Sequence, residues 1–258
     1  MLERIRRWRR ERILGQVAID PATWAHLMAE LAVFAGLDAN ERGRLRDLAS
    51  LFLYEKRVEP LEGLVLDDAM RAGLAAFACL PVLNLGLEAY RGWHTVLVYP
   101  GGFLARHAYT DEHGLAHEEA RPLAGEAWEG GPVVLSWDDV ESSLALDGYN
   151  VVLHEFCHKL DMSNGEANGM PPLPQHMSRE AWTAAFTAAY EALCRDIDAG
   201  QEGVLDVYAA ESPAEFFAVA CESFFERPLA LKLGMPAVYE QLRQYFRQDP
   251  GWRMGALA

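Results

Sequence analysis

Paired cysteines, long apolar runs and positive charge are what this chain lacks. Its four cysteines, Cys79, Cys157, Cys194 and Cys221, are scattered through 258 residues with no Cys-x-x-Cys pair. That spacing indicates neither a disulfide framework nor a cysteine-based zinc site, and it fits a reducing, cytoplasmic setting. The apolar stretch 72–87 is too short to span a bilayer and contains Pro81 and Asn84, so it reads as a buried helix. Lysine and arginine number 23 against 38 aspartates and glutamates, a formal charge of −15. Nucleic acid is therefore a poor direct partner, because phosphate binding relies on clustered cations. No apolar h-region follows the N-terminus, so no secretory signal is expected.

One basic cluster interrupts the acidic balance: Arg4, Arg6, Arg7, Arg9, Arg10 and Arg12, interleaved with Ile5, Trp8 and Ile13. The favoured reading is a segment that packs Trp8 and Ile13 loosely and leaves its arginines in water. A membrane-surface or partner-binding helix is the alternative.

Apolar residues make up 51 % of the chain and charged ones 24 %, as in ordinary globular proteins. Helical periodicity covers 21–35 and 39–54, with Asn40 or Asp38 as N-cap, and 67–80 continues the helical part. The pattern then changes. His94-Thr-Val-Leu-Val-Tyr99 reads as a strand, 105–131 as a hairpin or long loop, and Val133-Val-Leu-Ser-Trp137 as a second strand. Residues 163–174 hold Gly165, Gly169, Pro171, Pro172 and Pro174 and must loop. Helices follow at 178–196, capped by Ser178, and finally at 213–226, stopped by Pro228.

The densest chemistry lies at His154-Glu-Phe-Cys-His158. On a helix the two histidines fall at i and i+4, on one face and within reach of one metal ion. Glu155 projects from the same end, where it can act on a water at that metal. Val151, Val152, Leu153 and Leu160 supply an apolar stripe that buries such a helix, with Asp147 or Asn150 near its N-terminus. The competing reading is two core histidines that merely hydrogen-bond. Two buried imidazoles one turn apart need partners, however, and a metal supplies them more simply.

Catalytic zinc takes three protein ligands and a water, so a third ligand is needed. The extended metzincin pattern would put histidine at 164, where the chain has Asn164. His176 is the one histidine after the motif, in the proline-rich loop. Glutamates on the following helix compete: Glu211, Glu215, Glu222 and Glu226. Glu215 lies one turn into the 213–226 helix, but Ser212-Pro213-Ala214-Glu215 is also a capping box, which alone accounts for a glutamate there. By spacing, Glu215 and Glu222 stand level.

His154-Glu-Phe-Cys-His-Lys-Leu-Asp-Met162 with Asn164-Gly165, followed by Tyr208-Ala-Ala-Glu-Ser-Pro-Ala-Glu215-Phe-Phe-Ala-Val, resembles the Mlc titration factor A (MtfA) family of zinc metallopeptidases. Val98-Tyr-Pro100 and Gly131-Pro-Val-Val-Leu-Ser-Trp-Asp138 extend the likeness, which runs from about Lys56 to Pro250. Cys157 departs from the small residue often found there. The resemblance implies a gluzincin-type site, distantly similar to the anthrax lethal factor catalytic domain. His154, His158 and Glu215 would bind one Zn2+, Glu155 would be general base, and Tyr208 would hydrogen-bond the developing oxyanion. The expected fold class is α+β and zincin-like, mainly helical, with a small mixed β-sheet beside the HExxH helix. A single unit, 1–258, is expected: 1–90 mainly helical and covering the cleft, 91–258 carrying the sheet and both site helices.

The expected activity is zinc-dependent hydrolysis of a peptide or protein substrate, aminopeptidase-like and with a regulatory role. The 133–137 strand is expected to line the cleft as an edge strand and pair with substrate. Glu222 and Asp161 are candidates for orienting the histidines. By the same resemblance, the rival function is a binding protein that sequesters a glucose-responsive transcription repressor. A zinc hydrolase of non-peptide substrates is a third possibility.

Overall fold

The computed structural model describes residues 2–110, 116–201 and 203–255, with side chains described for 8–103, 123–201 and 203–255. The N-terminal part is helical for reasons visible at each helix start. α1 (Leu2–Val17) leads to α2 (Pro21–Glu30), which has proline in its first turn and Asp20 accepting from the Thr23 N–H. Extended Leu31 ends α2, and a 3-10 turn at Ala32–Phe34 completes the stretch expected as one helix. At α3 (Ala39–Glu55) the cap is Asp38, not Asn40, because Asp38 and Glu41 form a reciprocal capping box. β1 (Arg57–Pro60) follows, then α4 (Asp68–Cys79), capped by Asp67 and buried from Leu74 to Cys79. On α1, Trp8 is exposed with the Arg12 guanidinium 5.6 Å over its ring, and Ile13 is half-buried. The side chains of Arg4, Ile5, Arg6 and Arg7 lie outside those described.

The strands β2 (Thr95–Tyr99), β3 (Phe103–Thr110), β4 (Ala116–Leu123), β5 (Gly125–Ala127) and β6 (Val133–Ser136) come next. β3 and β4 pair antiparallel as a separate hairpin within the stretch read as hairpin or loop. The main sheet has the order β1-β2-β6-β5, parallel from β1 through β6 and antiparallel at β5. The strand expected at the edge is therefore an inner strand. All four residues of β6 are buried, as a parallel strand paired on both sides and covered on both faces must be. Trp137 already belongs to α5 (Trp137–Ser142), and the edge on the β6 side is β5, β1 being the other.

α6 (Val151–Asp161) packs on β5, β6 and α4, with Phe156 inserted among Phe52, Tyr90 and Trp93 at ring separations of 5.4–5.7 Å. α7 (Arg179–Asp198) and α8 (Pro213–Glu226) follow, the latter crossing α6. The 213–226 helix is not the last. α9 (Pro228–Gly234), α10 (Pro236–Phe246) and α11 (Pro250–Gly255) each begin at a proline. Pro228 ends one helix and starts another, since its ring forbids continuation yet suits the first helical position. The structure is α+β, mainly helical, and its apolar core runs from Ile19 to Phe246. Among the described residues no helix is long and apolar enough to cross a membrane.

Candidate metal centre

The motif segment becomes helical at Asn150, whose Oδ1 accepts from the Leu153 N–H at 2.9 Å. Asp147, the other candidate, turns the chain before it by accepting from the Tyr149 N–H. One turn into α6, His154 and His158 face the same way, their Nε2 atoms 3.1 Å apart. Glu215 reaches them from the first turn of α8. Its Oε2 lies 3.0 Å from His154 Nε2 and 3.2 Å from His158 Nε2. The Ser212 hydroxyl accepts from the Glu215 N–H, so the backbone half of the capping box is present, while the Glu215 carboxylate faces the histidines.

Glu222 stands behind this point. Its Oε1 is 2.8 Å from His154 Nδ1, and its Oε2 accepts from the Asn150 N–H at 2.5 Å. A carboxylate can only accept, so Nδ1 carries the hydrogen and Nε2 keeps its lone pair. His154 Nε2, His158 Nε2 and Glu215 Oε2 thus converge on one point, where a cation between them would satisfy all three. A tetrahedral ion at about 2.0–2.2 Å sets its ligand atoms about 3.3–3.6 Å apart, slightly wider than the 3.0, 3.1 and 3.2 Å found. The charge balance agrees. Burial opposes a charge on His154, but Glu222 and Glu215 outweigh it and hold the imidazole well above its ordinary range. Burial would raise Glu215, yet the two imidazoles beside it hold its carboxyl well below the usual carboxylate range. The point calls for positive charge, and the residues present fit a divalent metal.

Glu155 is buried beside this cluster, and its Oε2 has no hydrogen-bond partner. Burial pushes its carboxyl up, so a proton is more easily held there than on an ordinary glutamate. Edge strand β5 passes so close that a Cβ on Gly125 would meet Glu155 Cγ and Oε1 and Val151 Cγ2 at 2.7 Å. Tyr208 lies in a 3-10 turn, Val207–Ala210, whose Asp206 cap accepts from the Tyr208 N–H. Its half-exposed ring sits 6.0 Å from the His154 ring.

The remaining candidates fall elsewhere. His176 is exposed in the loop, and Glu211 is exposed after the Tyr208 turn. Asp161 contacts neither histidine by hydrogen bond; its Oδ2 accepts from the Asn168 and Gly169 N–H groups. It shapes the glycine-rich loop, and Gly169, at φ +80, lies where a Cβ would strike Pro213 O at 2.5 Å. Cys157 is fully buried, as is Cys221 of α8, and it is a packing residue where the two helices meet.

Two further contributors, Lys159 and Gly125, had no signal in the sequence, and Glu226 had one only as a rival for third ligand. Lys159 is buried and donates to Trp128 O at 2.6 Å and Gly131 O at 3.1 Å, tying α6 to the turn between β5 and β6. Gly125 is legible only once strand and helix are side by side. Glu226 accepts from Asn150 Nδ2 at 2.8 Å and from the Gly148 N–H at 3.0 Å, far from the converging donors.

Comparison with known proteins agrees with this architecture. The family described as "Glucose-regulated metallo-peptidase M90" matches residues 5–247. Mlc titration factor A of Serratia proteamaculans (strain 568) is 41 % identical over 239 residues, 92 % of this chain and 90 % of the relative. The proteins of that name from Yersinia pestis (strain Pestoides F) and Yersinia pseudotuberculosis (serotype O:1b, strain IP 31758) are 41 % identical over 232 residues, 89 % of this chain and 85 % of each relative. With His154, His158 and Glu215 brought to one point inside the matched region, the chain belongs to the glucose-regulated metallo-peptidase M90 family, together with the Mlc titration factor A proteins.

Proposed function

We propose that this chain is a zinc-dependent peptidase in which His154, His158 and Glu215 hold the metal, Glu155 is general base and Tyr208 steadies the oxyanion. The carrying observation is the convergence of two imidazole nitrogens and one carboxylate oxygen, with a partnerless Glu155 oxygen beside them. Two histidines and a glutamate are a set that catalytic zinc sites use. The chemistry zinc supplies there is Lewis acidity, which brings the pKa of a water toward ~7 and polarises the scissile carbonyl.

The chain's own residues do the rest. Glu155 takes the water's proton as its oxygen bonds to the peptide carbon, and returns that proton to the amine as the C–N bond breaks. The Tyr208 hydroxyl donates to the carbonyl oxygen as charge develops on it. Glu222 keeps His154 in the tautomer whose Nε2 faces the metal. The free edge of β5, beside Glu155, offers backbone groups to an extended substrate, the part first given to 133–137.

Metal analysis of the purified protein should find about one zinc per chain. Glu155→Gln should retain that zinc and lose peptide hydrolysis; full activity in this variant would falsify the assignment. Aminopeptidase action is the finer form of the reading. Chromogenic aminoacyl substrates set against internally quenched peptides decide it, and cleavage of the internal peptides alone rules it out.

A second reading is favoured by the relatives' name. Titration of a transcription repressor, carried out in the cytoplasm, would need a surface for that repressor, and the charge of −15 suits a basic DNA-binding protein. A pull-down with Glu155→Gln separates the two, because titration survives loss of the general base and proteolysis does not.

A further inference from the structure

We infer that Glu226 is a positioning residue for the metal centre, acting through Asn150 and Glu222 on His154. This rests on the proposed metal site and extends it to residues that touch neither metal nor substrate. Glu215, Glu222 and Glu226 share one face of α8, and all three are aimed at α6. Glu215 meets the two histidines, Glu222 meets His154 and the Asn150 N–H, and Glu226 meets the Asn150 side chain.

Asn150 is the hinge of this arrangement. Its Oδ1 caps α6 through the Leu153 N–H, its backbone N–H donates to Glu222 Oε2, and its Nδ2 donates to Glu226 Oε1 and to Ser143 O. Glu226 also accepts from the Gly148 N–H, so it holds the chain on both sides of Tyr149 as it enters the helix. With the Asn150 N–H fixed on one oxygen of Glu222, the other oxygen is left for His154 Nδ1. Rotation of Asn150 would free Glu222 to turn, and His154 would lose the contact that orients its ring and sets its tautomer.

A carboxylate is an expensive way to fill this position. Glu226 is 3 % exposed, burial pushes it up to about 8, and its two hydrogen bonds work against that shift. An apolar side chain of similar volume would often be as stable. What glutamate adds is two acceptors facing two donors, which defines how the start of α6 sits against α8. Carboxylates at that start also face the positive end of the helix, which lowers the cost of keeping them there.

The test uses the full chain and zinc alone. Glu226→Gln places an amide NH2 against one of the two donors while preserving shape. Asn150→Ser keeps a capping hydroxyl for Leu153 but cannot reach Glu226. Zinc affinity is measured by chelator competition, with kcat and KM on a peptide the wild type cleaves and the visible spectrum of the Co2+-substituted protein. Each variant should weaken zinc on the order of tenfold, lower kcat with KM unchanged, and alter the Co2+ spectrum. The double variant should be no worse than the more affected single one, because both act on one linkage.

Leu45→Ala, in the fully buried core of α3, serves as control: it should lower the melting temperature and leave zinc affinity alone. Zinc affinity within about twofold of wild type in both variants overturns the inference, as does an equal loss in the Leu45 control. If Glu226→Gln does not fold, Asn150→Ser carries the same two outcomes. A wild type that binds zinc yet cleaves nothing defeats the peptidase reading while the affinity test still decides this one. A wild type that takes up no zinc overturns both.

Discussion

Glu215 and Glu222 lie two turns apart on one face of α8, yet only Glu215 meets both histidines. Glu222 meets His154 on its far nitrogen and leaves His158 alone. Their spacing could not separate them, because both project toward α6 and the choice depends on where α6 lies along α8. The expected consequences differ in size. Glu215→Ala should lose zinc from the purified protein, whereas Glu222→Ala should keep a site weakened roughly 10–100-fold. Zinc titration of both variants checks this; a Glu222→Ala protein without metal beside a Glu215→Ala protein with metal would reverse the assignment. Tyr208 was reached only through family resemblance, since a tyrosine in a short turn carries no signature of its own. Its ring does lie beside His154, at the exposed side of the cluster.

Among the elements, those with local causes were legible. Asp38, Asp67, Ser178 and Ser212 cap the helices expected at those positions, because a cap is decided within four residues of chain. β1 escaped notice: Arg57-Val58-Glu59-Pro60 has one buried residue and owes its extended form to pairing with β2 across the intervening α4. The three C-terminal helices were hidden behind Pro228, read as a stop and not as a start. β5 is short, and its importance lies in where it runs. Gly125 lets the strand pass against α6 at a distance no side chain tolerates. Gly125→Val should therefore push the edge strand from Glu155 and lower kcat/KM by at least about tenfold, with zinc still bound. Peptidase assays beside metal analysis test this; wild-type kcat/KM in the variant would remove β5 from the cleft.

At the scale of the whole molecule, the site joins two helices that are distant in sequence, so metal binding and stability are linked. On the proposed function, zinc held between α6 and α8 would bind the folded chain in preference to the unfolded one. At free zinc about a hundred times its Kd, the gain is about 2.7 kcal/mol. Chelation should accordingly abolish hydrolysis and lower the melting temperature, and readdition of zinc should restore both. A melt indifferent to chelator would mean that the two helices hold the donors together without metal. The acidic surface and the helical, α+β character follow from composition and periodicity, which need no knowledge of contacts. The pair His154 and His158 with Glu155 between them also belongs to the sequence, because an i, i+4 spacing on a helix is local geometry. The choice among four glutamates, the inner place of β6, the passage of Gly125 and the hold of Glu226 on Asn150 belong to the tertiary structure. Each depends on how two segments far apart in the chain are set against each other, and no local pattern encodes that distance.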